Sequence, residues 1–211
     1  NLFAHIQNYD EFLKNLKQLL SVKGIFVFQV PHFLKLVKNR EYDTIYHEHI
    51  SYFGLKPLIK FFEEHQMELF DVIETEIDGG SIRCFVSFKG KFTKTSNIEK
   101  ILEKENNEKI YNIERLEKFE KEVKQQKKDL NTMLKNLKNN GKKVVGVGAP
   151  AKGITLLNYC KIDNNILEYL TEKSSLKINK FCPGMHIPIV TDKKLIEDKP
   201  DYAIILAWNF A

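Results

Sequence analysis

An α/β protein in two parts, joined by a long helical stretch, is what this sequence predicts. Three observations point there. Helix-like and strand-like periods alternate up to Phe88, and a mixed-charge segment of helical period fills Asn97 to Asn139. Val144-Val-Gly-Val-Gly148 then reads as a strand entering a glycine-rich turn. The expected divisions are 1–94, a helical connector over 95–140, and 141–211.

Asn8 or Asp10 caps a helix running to about Leu20, with Phe12, Leu13, Leu16, Leu19 and Leu20 on one face. Gly24 stops it. Ile25 to Val30 is a buried-looking strand, and Pro31, which has no N–H for a ladder, ends it. Leu55 to His65 is a second amphipathic helix with Leu58, Ile59, Phe61 and Phe62 on its apolar side. Met67–Ile77 and Ser81–Phe88 alternate in polarity, and Asp78-Gly79-Gly80 between them signals a hairpin. In the connector, Ile113, Leu116, Val123, Leu130, Met133, Leu134 and Leu137 form a stripe near heptad spacing. Such a stripe suits packing on its own domain or a dimer-forming coil. Asn139-Asn140-Gly141 closes the helix. Beyond the glycine turn, Ala151 to Tyr159 is a helix, and Ile166–Leu170, Ile187–Val190 and Tyr202–Ala207 are strands.

Composition excludes several classes. The 211 residues carry a formal charge of +5, but most of it lies between Lys91 and Lys143, where Lys and Glu alternate. A mixed-sign run is a solvated helix face, so no nucleic-acid partner is expected. Cys84, Cys160 and Cys182 are odd in number and widely spaced, which argues against a disulfide framework and against a zinc site in this segment. No apolar run approaches a membrane span and no secretory signal is seen. The expectation is a cytoplasmic protein, monomer or homodimer, without a membrane or metal partner here. The chain opens at Asn1 without an initiator Met and stops directly after an apolar strand, so a longer protein is expected.

Tyr46-His47-Glu48-His49 is the densest cluster of titratable groups. Extended backbone would put Tyr46 and Glu48 on one side, His47 and His49 on the other. Two His at this spacing do not make a metal site. A structural pair is one reading. A general base is the other, because imidazole titrates near neutral pH and a neighbouring carboxylate or phenol tunes it. Gly146-Val-Gly148-Ala-Pro-Ala-Lys152-Gly153 is a turn whose backbone and following helix N-terminus suit an anion, with Lys152 as an added cation. Its spacing reads as neither a dinucleotide fingerprint nor a P-loop, and a tight structural turn is the plainer reading. Trp208-Asn209-Phe210 follows a strand at the end where α/β sheets bind ligands; a structural Trp cap stands equally.

Tyr46-His-Glu-His-Ile-Ser-Tyr-Phe53, Gly79-Gly-Ser-Ile-Arg83, Gly148-Ala-Pro-Ala-Lys-Gly153, Leu156-Leu-Asn-Tyr-Cys160, Pro183-Gly-Met-His-Ile-Pro188 and Ala207-Trp-Asn-Phe210 occur in this order. Together they resemble the sugar C-methyltransferases that act on nucleotide-linked keto-deoxysugars, over essentially the whole chain. The resemblance implies the C-terminal half of a Rossmann-like methyltransferase sheet, a helical connector, and a second Rossmann-like α/β domain that helps hold the sugar nucleotide. It implies S-adenosyl-L-methionine as cofactor, with the main cofactor-binding half and a zinc domain expected before Asn1. On that view the 211 residues alone are inactive.

By similarity, His49 is the base that removes a proton beside the sugar ketone, with Tyr46 and Glu48 in the same pocket and Asn1 and His5 lining it. Gly148, Ala149, Lys152, Gly153, Trp208 and Asn209 bind the sugar nucleotide. One departure is visible, since the family commonly shows His before Gly-Gly-Ser and this chain has Asp78. Two alternatives remain: an O- or N-methyltransferase of the same architecture, and a non-catalytic sugar-nucleotide-binding module with an oligomerising helix. A nucleotide-dependent oxidoreductase ranks behind both.

Overall fold

The computed structural model describes residues 2–210 and is mixed α/β, as expected. The chain forms two compact units. One runs to Glu41 and resumes over His47–Phe119; the other takes Tyr42–Tyr46 and the residues from Glu120 on.

In the first unit the Asn8 side chain accepts the Glu11 N–H at 3.1 Å and so caps α1 (Tyr9–Leu19), whose Leu13 is fully buried. Strand β1 (Phe26–Pro31) is followed by α2 (Phe33–Asn39), a short helix that the sequence reading did not anticipate. Helix α3 (Leu55–Glu64) buries Leu55, Leu58 and Phe62. Strands β2 (Met67–Thr75) and β3 (Ser81–Phe88) form the expected hairpin, and the antiparallel sheet has the order β1-β3-β2. The turn needs left-handed backbone at Asp78 (φ 57°), Gly79 (φ 88°) and Gly80 (φ 125°). Asp is one of the few residues with a side chain that tolerate this region, which suits Asp78 to its place. Helix α4 (Ser96–Asn107) adds Ile98 and Ile101 to the same core.

The expected helical connector forms as two helices, and the interruption the sequence suggested around Gln126 falls inside an unbroken α5 (Ile113–Asn139). Between α4 and α5 the backbone turns through Lys109 (φ 52°), and Ile110 is fully buried there. The later part of α5 belongs to the second unit, where Leu130, Leu134 and Leu137 pack on Leu157, Leu167 and Leu170. The near-heptad stripe is used, at least there, to cover the helix's own domain.

The second unit contains β4 (Val144–Val147), α6 (Ala151–Cys160), β5 (Leu170–Glu172), β6 (Ile189–Thr191), α7 (Lys193–Asp198) and β7 (Tyr202–Ile205). Its strands are all parallel, in the order β6-β5-β4-β7. Close packing dictates two glycines. A Cβ on Gly146 would lie 2.5 Å from Leu170 Cδ2, and one on Gly153 would lie 2.8 Å from Leu206 Cβ. Among the described residues no helix is long and apolar enough to cross a membrane.

Candidate active site

His5, Glu48 and His49 come together in the first unit. Residues 46–48 turn, so the simple alternation of an extended strand does not apply. His5 ends a single helical turn (Phe3–His5), and its Nδ1 lies 2.7 Å from the Glu48 carbonyl oxygen. A carbonyl only accepts, so Nδ1 carries the hydrogen and the Nε2 of a neutral ring keeps its lone pair. A second tie, Ile50 N–H to Ala4 O at 3.2 Å, fixes the same stretch. The His49 ring lies 5.2 Å from that of His5 and 6.5 Å from that of Tyr52, edge-on to the latter. His5 and His49 are half-buried while the Glu48 side chain is exposed. Asn1, expected in the same pocket, lies outside the described residues. Tyr46 closes the short segment that belongs to the second unit.

The loop after His49 is anchored from below by a buried carboxylate that local sequence does not reveal. Glu105 on α4 is fully buried and accepts from Leu55 N–H (2.6 Å), Lys56 N–H (3.2 Å), Tyr111 OH (2.7 Å) and His32 Nε2 (2.7 Å). It thus does the work of a capping residue at the start of α3, whose own Gly54 has no side chain to offer. Burial alone would raise its pKa, but the bonds from His32, Leu55 and Tyr111 outweigh burial and hold the carboxyl below its usual range.

In the second unit, two of the expected binding residues converge on a third that was not expected. The Lys152 ammonium sits 4.6 Å from the centre of the Trp208 ring, and Trp208 Nε1 donates to Asp43 Oδ2 at 2.7 Å. Asp43 is buried. Desolvation raises its pKa, opposed by the Trp208 bond and by the Lys152 charge. Tyr42 beside it contacts Cys160 Sγ at 3.7 Å through its hydroxyl and packs edge-on to Tyr159. Asn209 is half-buried in the helical turn that Trp208 begins.

Gly148 and Ala149 face elsewhere. They line a cleft of about 640 Å³ with Val147, Thr171, Glu172 and Lys177. Gly148 has φ 83° and passes close to Ala207, where an added Cβ would stand at 3.1 Å. Gly153 serves the packing of α6 against Leu206, as described above. Gly146 and Val147 are paired inside β4 and Ala151 opens α6, which leaves Gly148-Ala149-Pro150 as the turn between them. Among the described residues no three His, Cys, Asp or Glu converge in a way that would hold a metal ion.

Comparison with known proteins adds two findings. A family model described as the C-methyltransferase C-terminal domain matches residues 76–211. The chain is also 32% identical over 210 residues to the C-methyltransferase NovU of Streptomyces niveus. That match covers 99% of this chain and 50% of the relative, so the chain spans about half the relative's length.

Proposed function

This chain belongs to the C-methyltransferase family, and we propose that the whole protein methylates a carbon of a nucleotide-linked keto-deoxysugar using S-adenosyl-L-methionine. The observation that carries the reading is the placement of His49 beside a His5 ring locked in one tautomer by Glu48, in a chain similar over its length to a C-methyltransferase. A carbon next to a ketone becomes a nucleophile only as an enolate, so such an enzyme must take a proton and stabilise an oxyanion. We assign proton removal to His49. Tyr46 and Glu48 precede it in sequence, and we assign to them a phenol and a carboxylate for the sugar's polar groups. We assign the ammonium of Lys152, which lies over the Trp208 ring, to the charge of the diphosphate, with Asn209 next in sequence, while Gly148 and Ala149 line a separate cleft.

The methyl donor supplies an electrophilic carbon. Where β1 passes into α2 through His32, the first unit offers no glycine turn for the adenosyl group. The chain's own chemistry ends at the enolate. The reading is tested by giving the complete protein a donor labelled in its methyl carbon together with a keto-deoxysugar nucleotide. Nuclear magnetic resonance should place the label on a sugar carbon; label on oxygen would overturn the proposal.

A further inference from the structure

The charge of Lys152 is felt at Asp43, yet no ion pair joins the two among the described residues. The Trp208 indole links them instead. Its Nε1 donates to Asp43 Oδ2 at 2.7 Å, and the Lys152 ammonium lies 4.6 Å from the ring centre. An ammonium paired directly with a carboxylate spends hydrogens on it. Held over a ring face by the electron-rich indole, it keeps all three for another anion. Lys152 is half-buried, so those hydrogens still reach solvent.

The indole has a single polar hydrogen, so the bond to Asp43 fixes which way the ring edge faces. Asp43 is itself firmly held. It is 3% exposed, and its carboxyl also accepts from the N–H groups of Asp43 and Thr44. Tyr42 before it is seated on α6 through Cys160 and Tyr159, and α6 also carries Lys152. One helix therefore bears both ends of the arrangement. Burial outweighs the bonds at Asp43 and pushes its carboxyl up, whereas at Glu105 the bonds prevail. A role in stability explains Glu105 better than it explains Asp43.

We propose that Asp43 is a positioning residue for anion binding, turning the Trp208 indole so that its face holds the Lys152 ammonium with hydrogens free for a diphosphate. This rests on the reading that Lys152 meets the diphosphate. As a buried negative charge, Asp43 opposes an incoming anion; only through the indole does it favour one. The two effects have opposite signs, which makes them separable.

Calorimetric titration of the complete protein with inorganic pyrophosphate tests it. Asp43→Asn and Asp43→Ala remove the same charge, but Asn keeps an oxygen for the indole N–H and Ala does not. Asp43→Asn should bind pyrophosphate at least as tightly as the parent. Asp43→Ala should bind it roughly tenfold or more weakly, as the loss of a well-placed donor to a charged group does. Trp208→Phe keeps a ring without the N–H and should weaken binding as Asp43→Ala does, which supplies a second variant if one melts too low. In a Lys152→Met background, Asp43→Ala should cost nothing further.

Equal binding by Asp43→Asn and Asp43→Ala would overturn the proposal while leaving the reading of Lys152 in place. So would additive losses in the double variant, or an Asp43→Ala protein that binds more tightly than the parent. A parent that binds no pyrophosphate, or a Lys152→Met protein that binds it as the parent does, would remove the reading of Lys152 and the proposal with it.

Discussion

His5 donates its Nδ1 hydrogen to the main-chain carbonyl of Glu48 across 2.7 Å, although 43 residues separate the two in sequence. Together with the Ile50 to Ala4 bond, this pins the loop that carries His49 to the start of the chain. In the complete enzyme, His5→Phe keeps a ring and loses the tie. Activity should fall by roughly 10- to 100-fold, as small misplacements of reacting groups do, with the loss mainly in kcat. Steady-state kinetics that showed only a raised KM would assign His5 to substrate binding instead.

Glu105 should dominate the acid sensitivity of the first unit. Its carboxyl is held below its usual value, so its contribution to stability is complete above the unfolded pKa and is lost as pH falls through the folded one. Glu105→Ala leaves four donors without their acceptor and is expected to cost about 3 kcal/mol or more, since each buried donor left unpaired costs about 1–3 kcal/mol. Denaturant melts from neutral to acid pH should show the variant's stability varying less with pH than the parent's.

Gly54 cannot carry a side chain. A Cβ there would stand 2.0 Å from Tyr111 Oη and 3.2 Å from Glu105 Oε1. Gly54→Ala should therefore destabilise the first unit by about 1–3 kcal/mol, the usual range for overpacking. Tyr111→Phe in the same chain removes the clashing hydroxyl and should recover part of the loss. Strictly additive effects of the two changes would contradict the geometry.

Asp43 should behave in the opposite sense to Glu105. Burial raises its pKa, and a raised carboxyl favours the folded state as it takes up its proton, so its penalty at neutral pH is relieved as pH falls through the folded value. Trp208→Phe deletes the Nε1 donor and should cost the second unit about 1–3 kcal/mol at neutral pH. The same variant should show a smaller loss at acid pH, measured by thermal melts across that range.

The regular part of this fold is legible from pattern, and the rest hides for definable reasons. The hairpin at Asp78-Gly79-Gly80 announces itself because only a few residues accept its backbone angles. Helix α2 does not, because Phe33, Leu34, Leu36 and Val37 continue the apolar tone of β1 over too few residues to show a period. Nothing in the Lys- and Glu-rich stretch marks the break before α5, where a lysine takes up left-handed backbone. His49 and His5 are visible as residue types, but their proximity is not. Asp43 and Trp208 lie 165 residues apart and Glu105 and His32 lie 73 apart, distances at which spacing carries no signal.

The role proposed for His49 is removal of the proton beside the ketone. It is tested most directly by following exchange of that proton for deuterium in the complete enzyme with its keto-deoxysugar nucleotide and without methyl transfer. The parent should exchange it, and His49→Ala should bind the sugar nucleotide as before yet leave the proton in place. Exchange and methylation at parental rates in His49→Ala would contradict the assignment.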